Sequence, residues 1–275
     1  MKFSNPSPLK RIARLLGWTR ASYTLMSVFL ALILLILYVW WPLVLEYVAT
    51  YNPDYPLWVQ VDWLLIGIFL VMSLLIMANA DVKADLPIFL IGLVGGLVIE
   101  GWGTQTELWT YYTNERPPLW IIPAWPIASL SIDRLYRLSR RLSDKMPETF
   151  FTVLHWTMLP LFYALMLSFV WPTVDKSLTF MALLFCAFLI LTTTDRRATM
   201  LTFIAGTSLG YFLELWGTTR LCWMYYTHDS PPLFAVLAHG MAAVAFLRVL
   251  DLHHIFWPKL AKALPWIRVR ETGGK

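Results

Sequence analysis

The sequence predicts an all-α, polytopic integral membrane protein of about eight transmembrane helices, arranged as two parallel four-helix repeats. Three observations predict it. Of 275 residues, 58% are hydrophobic and 14% charged, with a mean hydropathy of +0.60, against roughly 45–50% apolar and about 25% charged in soluble domains. The stretch from Glu100 to Leu119 recurs without a gap from Glu214 to Leu233, with Glu100, Trp102, Gly103, Thr104, Trp109, Tyr111, Tyr112, Thr113, Pro117, Pro118 and Leu119 all identical in the second copy. Finally, the basic residues segregate between alternate loops, as a positive-inside topology requires.

Taking roughly 20 apolar residues per span, helices are expected near Tyr23 to Val44, Val61 to Ala80, Leu86 to Gly101, Leu119 to Ile132, Phe150 to Val170, Leu178 to Thr194, Ala198 to Leu215 and Pro232 to Leu250. The third, fourth and seventh are short enough for a re-entrant segment to be an alternative. The domains follow: residues 1–22 a basic segment, 23–133 the first repeat, 134–149 a basic linker, 150–250 the second repeat and 251–275 a basic interfacial tail. Lys10, Arg11, Arg14 and Arg20 ahead of an apolar run imitate a signal peptide. The run from Ala21 to Val44 is long enough to span and has no small-residue cleavage site after it, so it reads as a retained first helix.

With these spans, nineteen Lys and Arg fall on one side and only Arg116, Lys176 and Arg220 on the other. Both termini are therefore expected on the cytoplasmic side of the cytoplasmic (inner) membrane. An even number of helices per repeat gives both halves one orientation, related by a pseudo-twofold axis along the membrane normal. The net charge of +5 is explained by this topology, and nucleic-acid binding is not expected. Arg134 to Lys145 reads as a solvated linker meeting anionic headgroups.

Upstream of the shared stretch, Gly92, Gly96 and Glu100 are spaced by four, as are Gly206, Gly210 and Glu214, and Asp81 matches Asp195. Such glycines let another helix approach closely, so each glutamate should face protein rather than lipid. Counting about 1.5 Å per residue from Asp85 places Glu100 about 22 Å into a core of roughly 30 Å. A carboxyl there costs several kcal/mol if charged and unpaired, so it must be protonated, paired or hydrogen-bonded. A neutral acid can be a general acid, or an inert donor to a nearby carbonyl.

Glu100 and Glu214 are thus the candidate catalytic residues. Trp102, Trp109, Tyr111 and Tyr112, with Trp216, Trp223, Tyr225 and Tyr226, are candidate substrate-binding residues, because aromatic faces stabilise a cation. An interfacial aromatic belt also explains each one singly. The halves differ where Trp125-Pro126 becomes His239-Gly240, Thr106 becomes Arg220 and Glu107 becomes Leu221. His239 is a candidate proton partner for a glutamate, or a packing histidine.

No metal or other cofactor is expected. The chain lacks a phosphate loop, a dinucleotide fingerprint, H-E-x-x-H, G-x-S-x-G and an Asp-rich diphosphate motif. Cys186 and Cys222 lack metal-ligand spacing, and adjacent His253 and His254 point apart on a helix.

At Glu100, Gly103, Trp109, Tyr111, Tyr112, Thr113 and Pro123, and at Glu214, Gly217, Trp223, Tyr225, Tyr226 and Thr227, the chain resembles the membrane carotenoid hydratases of the bisanhydrobacterioruberin and gamma-carotene type. More loosely, it resembles the integral-membrane lycopene cyclases. The likeness covers about a third of each half. It implies a long isoprenoid as the partner in the bilayer, protonated at a double bond by a glutamate and then hydrated or cyclised. A lipid or proton-coupled solute transporter, and an assembly protein whose glutamates only lock two units together, are the other readings.

Overall fold

A computed structural model describes Ala13 and residues 16–263, excepting the side chains of residues 258–263. The outer parts of the basic terminal segments, residues 1–12, 14–15 and 264–275, lie outside the described residues. In order the elements are α1 (Arg20–Val39), α2 (Trp41–Ala49), α3 (Leu57–Gln60), α4 (Trp63–Met77), α5 (Val82–Gln105), β1 (Trp109–Tyr111), α6 (Ala124–Leu142), α7 (Glu148–Val170), α8 (Ser177–Leu191), α9 (Arg196–Thr219), β2 (Trp223–Tyr225) and α10 (Leu233–Ala263). Five segments are long and apolar enough to cross a membrane: Arg20–Val39, Val82–Gln105, Glu148–Thr173, Arg196–Thr219 and Leu233–Trp257. This is the architecture of a helical membrane protein. α4 and α8 are apolar but, at 15 residues each, shorter.

Each of the eight expected segments contains a helix, but the bounds of three of them move. The first apolar run breaks at Trp40, because Pro42 in the first turn of α2 has no N–H and would clash with the preceding turn. The chain then makes an excursion, α2 and α3, closed by Gln60 hydrogen bonds to Asn52 and Tyr55. The fourth helix starts at Ala124 instead of Leu119, after turns around Pro117, Pro118 and Pro123, and continues through the expected linker to Leu142. It is strongly two-faced rather than uniformly apolar. α10 likewise runs through the expected start of the tail to Ala263.

Arg134, expected to be solvated, is buried on the inner face of α6. Its Nη2 donates to both oxygens of buried Asp85 at 2.8 and 2.7 Å, its Nε to the Ala78 carbonyl at 2.9 Å and its Nη1 to Asp133 at 2.7 Å. Removing one partner of such a pair leaves an unpaired buried charge. Asp85→Ala should therefore cost about 3–5 kcal/mol, measurable as a lower Tm of the detergent-solubilised protein, while Lys83→Ala, on an exposed position, should leave it unchanged.

Four helices, α5, α6, α9 and α10, form the centre, with α9 packing along both α10 and α6, and α5 along both α6 and α10. α1 rests on α4, and α7 on α8, α9 and α10. α5 and α9 have bounds 114 positions apart, and Asp81 and Asp195 cap them through the Lys83 and Ala198 amides at 2.8 Å each. β1 and β2 pair antiparallel in the register Trp109–Tyr225, Thr110–Met224 and Tyr111–Trp223. Thr110 and Met224 are equivalent positions, so the ribbon is symmetric about its own central pair. The flanking bonds, Tyr112 N to Cys222 O at 3.2 Å and Tyr226 N to Leu108 O at 3.1 Å, obey the same symmetry.

Candidate functional site

The site begins with the two glycine ladders. A Cβ on Gly96 would lie 2.3 Å from Trp125 Cγ, and one on Gly210 would lie 2.4 Å from His239 Cβ. One turn past each glutamate, a Cβ on Gly103 or Gly217 would lie 1.9 or 2.0 Å from the ring of Trp109 or Trp223. These glycines therefore admit side chains from the ribbon and from α6 or α10 right up to the helix carrying the acid. Gly103→Ala and Gly217→Ala should each displace a tryptophan and cost about 1–3 kcal/mol by overpacking. Gly101→Ala, where the Cβ would meet nothing within 4 Å, is the matched control in a thermal-shift series.

What the glycines admit is a cage around each carboxyl. Glu100 accepts from Trp109 Nε1 on Oε2 at 3.0 Å, and from Tyr111 OH at 2.9 Å and Trp125 Nε1 at 3.2 Å on Oε1. Glu214 accepts from Trp223 Nε1 on Oε2 at 2.9 Å and from Tyr225 OH on Oε1 at 2.9 Å; its third partner is His239 Nε2, 2.8 Å from Oε1. Both glutamates are only 4% exposed, and they lie close enough to influence each other electrostatically. Thr104 and Thr218 donate back to the Glu100 and Glu214 carbonyls at 2.6 Å, fixing each last turn.

The donors decide what each cage can do. A Trp N–H donates only, while a carboxylate offers about four acceptor positions. Three donors on Glu100 satisfy a carboxylate, and among them the Tyr111 hydroxyl can also accept from a protonated acid. This first cage is built from two indoles and a phenol and holds no imidazole. The second cage differs at one position. His239 Nε2 can stand as donor or acceptor, so Glu214 and His239 can pass a proton between them.

The other expected site residues serve different ends. Trp102 Nε1 donates to Thr179 on α8 at 3.1 Å and Trp216 Nε1 to Asp62 at 3.0 Å, so they clamp neighbouring helices. Their rings are covered: Trp40 stacks on Trp216 at 5.0 Å and Trp109 meets Trp102 edge-on at 5.9 Å. Tyr112 OH donates to the Val39 carbonyl at the end of α1, and Tyr226 OH to the Phe169 carbonyl near the end of α7 at 2.6 Å. None of these four hydrogen-bonds Glu100 or Glu214. Trp125 was missed as a partner; its one signal was that the halves differ there. His155 is fully buried, with Nε2 3.1 Å from the Ile190 carbonyl, a packing role.

Above the cages, Asp62 caps α4 and takes both Trp216 and Arg220 Nε, the latter at 2.9 Å. Across the ribbon, Lys176 Nζ donates to the Thr106 carbonyl at 3.1 Å. Burial works to raise the Asp62 carboxyl, but hydrogen bonds from Arg220, the Leu65 amide and Trp216, with the Arg220 charge, hold it below the ordinary 3.8. A depressed folded value stabilises above the unfolded value and is lost as pH falls through the folded one. Asp62→Asn should thus narrow the Tm difference between about pH 6 and pH 3. The half-exposed Arg220 keeps this below about 1 kcal/mol.

Below the cages, α6 and α10 diverge to leave a narrow cleft of about 60 Å³. Its walls are equivalent pairs on the two helices: Trp125 with His239, Ala128 with Ala242, Ser129 with Ala243, Ile132 with Phe246, Asp133 with Leu247 and Tyr136 with Leu250. Trp125 and His239, stacked at 5.8 Å and 16°, close its head. Among the described residues, no group of three or more His, Cys, Asp or Glu is placed to hold a metal. No family model, curated protein or solved structure matches the chain.

Proposed function

We propose that this is an eight-span membrane protein of two parallel four-helix repeats, related by a pseudo-twofold axis along the membrane normal, whose working centre is the Glu214–His239 pair. We place it in the cytoplasmic membrane with its arginine-bearing face, the end of α6, in the cytoplasm. The observation that carries the reading is the 2.8 Å contact between Glu214 and His239, where the first half puts a tryptophan. Glu100, held by two indoles and a phenol, keeps the halves together; Glu214 holds a proton with His239.

The reaction this supports best is protonation of a carbon–carbon double bond in a long isoprenoid lipid, as the resemblance to carotenoid hydratases and cyclases implies. His239 is 19% exposed at the head of the cleft, whereas Glu214 is sealed, so the imidazolium is the group that reaches a substrate. With Nε2 held by Glu214, it is the Nδ1–H proton that adds to one alkene carbon using the π pair, leaving a cation on the other. Water then adds and loses a proton, or a second double bond closes a ring and a proton is lost; either returns the imidazole–carboxylate pair to its starting charge. General acids of this kind contribute about 10²–10⁴-fold.

Lipids and pigments extracted from cells with the gene deleted and restored, and analysed by mass spectrometry, test this. An isoprenoid displaced by one water, or isomerised, supports it. An unchanged profile contradicts it. A second reading is favoured by the position of the cleft between equivalent helices, which is where transporters of parallel repeats place their sites. It requires solute uptake driven by a pH gradient in proteoliposomes, with no change in lipid chemistry.

A further inference from the structure

We propose that the cleft between α6 and α10 is a hydrated half-channel, through which the Glu214–His239 pair exchanges protons with the arginine-bearing face alone. The inference rests on the proposed role of that pair but makes a separate claim: the cleft is wet and open at one end only.

In five of the equivalent pairs lining it, one member is polar and the other is not, or is aromatic; Ala128 with Ala242 and Ile132 with Phe246 are apolar on both sides. Ser129 faces Ala243, Asp133 faces Leu247, Tyr136 faces Leu250, Thr202 on α9 matches Ile88 on α5, and His239 faces Trp125. A packing seam between symmetric helices has no need of such a row. Thr202 is a lining residue, 5% exposed, and its buried hydroxyl has no hydrogen-bond partner. A helical threonine ordinarily satisfies itself on the carbonyl four residues back, as Thr199, Thr218 and Thr219 do here. A buried hydroxyl left without a bond costs about 1–3 kcal/mol, and a water in the cleft removes that cost. The 60 Å³ is room for a short file of waters.

The charged groups set the direction. At the mouth, about 12 Å along α6 from Trp125, Asp133 Oδ2 is held by Arg134 and Arg137 at 2.7 and 2.9 Å, and Tyr136 OH accepts from Arg140 at 2.9 Å. Asp85 on α5 is taken by Arg134. At the head the only ionisable group lining the cleft is His239, with Glu214 behind it. The opposite end is closed by the Trp125–His239 stack and the aromatic ribbon.

The test is cysteine labelling in sealed proteoliposomes with a small, charged, membrane-impermeant methanethiosulfonate. Ala128→Cys and Ala242→Cys, equivalent half-buried positions one turn from the stack, are compared with lipid-facing Val98→Cys, against wild type as background. Labelling from the arginine-bearing face should run at least roughly tenfold faster than at position 98, because the thiolate reacts and needs water. Ala243→Phe, which fills the cleft, should abolish it. No labelling at either position in folded protein, or labelling from the opposite face, overturns the inference. His239→Gln separates the two claims. Labelling that persists while an inactive His239→Gln is observed upholds both. A labelled cleft with a fully active His239→Gln leaves the half-channel standing without its proton role and contradicts the inference as stated. An unlabelled cleft with inactive His239→Gln refutes the half-channel alone.

Discussion

His239→Gln should abolish the proposed proton chemistry while leaving the protein folded. Glutamine can still hydrogen-bond Glu214 from about the position of the imidazole, so the cage keeps three partners and the cost should stay within about 1.5 kcal/mol. What it cannot do is take or release a proton near neutral pH. If the isoprenoid conversion is demonstrated in deletion and rescue, the variant should lose about 10²–10⁴-fold of its rate with an unshifted Tm. Glu214→Gln should lose as much. The reciprocal Trp125→His removes the ring stacked on His239 but keeps the Glu214–His239 contact, and should retain most activity. If His239→Gln converts substrate normally, Glu214–His239 is a packing contact and the acid-catalysis account fails.

Glu100→Leu should do the opposite, destroying the fold rather than selectively the chemistry. It strips the acceptor from Trp109, Tyr111 and Trp125 at once, and each buried donor left unpaired costs about 1–3 kcal/mol. Since the donors can partly relax, a loss of about 3–5 kcal/mol is expected, a large fraction of the roughly 5–15 kcal/mol that holds a typical protein. The readout is monodispersity and Tm in detergent. Glu100→Gln should fall between, because one of its two polar atoms turns donor against donor. The damage should spread across the halves: Tyr111 packs against Trp223 at 5.9 Å, and Trp109 against Tyr225 at the same distance. A stable, monodisperse Glu100→Leu would show that the first cage is dispensable.

Much of this arrangement was legible in the sequence, and the reasons it stopped short are local. The ungapped repeat with its glycine spacing located both acids and the helix faces that bury them, and both matched aspartates turned out to be helix caps. Trp109 and Tyr111, nine and eleven residues beyond Glu100, were expected to line a substrate site, because nothing in spacing says that a hairpin folds back onto its own helix. Trp102 lies two residues after Glu100, about 200° around the helix, and so faces α8 instead of the acid. Trp125 and His239 sit 25 residues downstream of their acids, across a turn-rich connection that pattern reading cannot fold.

Hydropathy also hid α6. Its two-faced sequence buries Ile127, Leu130 and Arg134 together, so an averaged window ends where Asp133 and Arg134 begin and takes the rest for a linker. The Trp40 break and the α2–α3 excursion were hidden in the opposite way, since Trp, Leu and Val continue the apolar run beyond the true end of α1. A proline just past that end was the one available signal.

The central claim is that the second cage does the chemistry and the first holds the halves together. The most direct measurement is the isoprenoid conversion rate and the Tm of Glu100→Gln and Glu214→Gln, side by side in nanodiscs. The account predicts that Glu214→Gln loses about 10²–10⁴-fold of the rate with little change in Tm, while Glu100→Gln lowers Tm and keeps its rate per folded molecule. Equal rate losses in the two variants, or a Glu214→Gln that converts substrate normally, would contradict it.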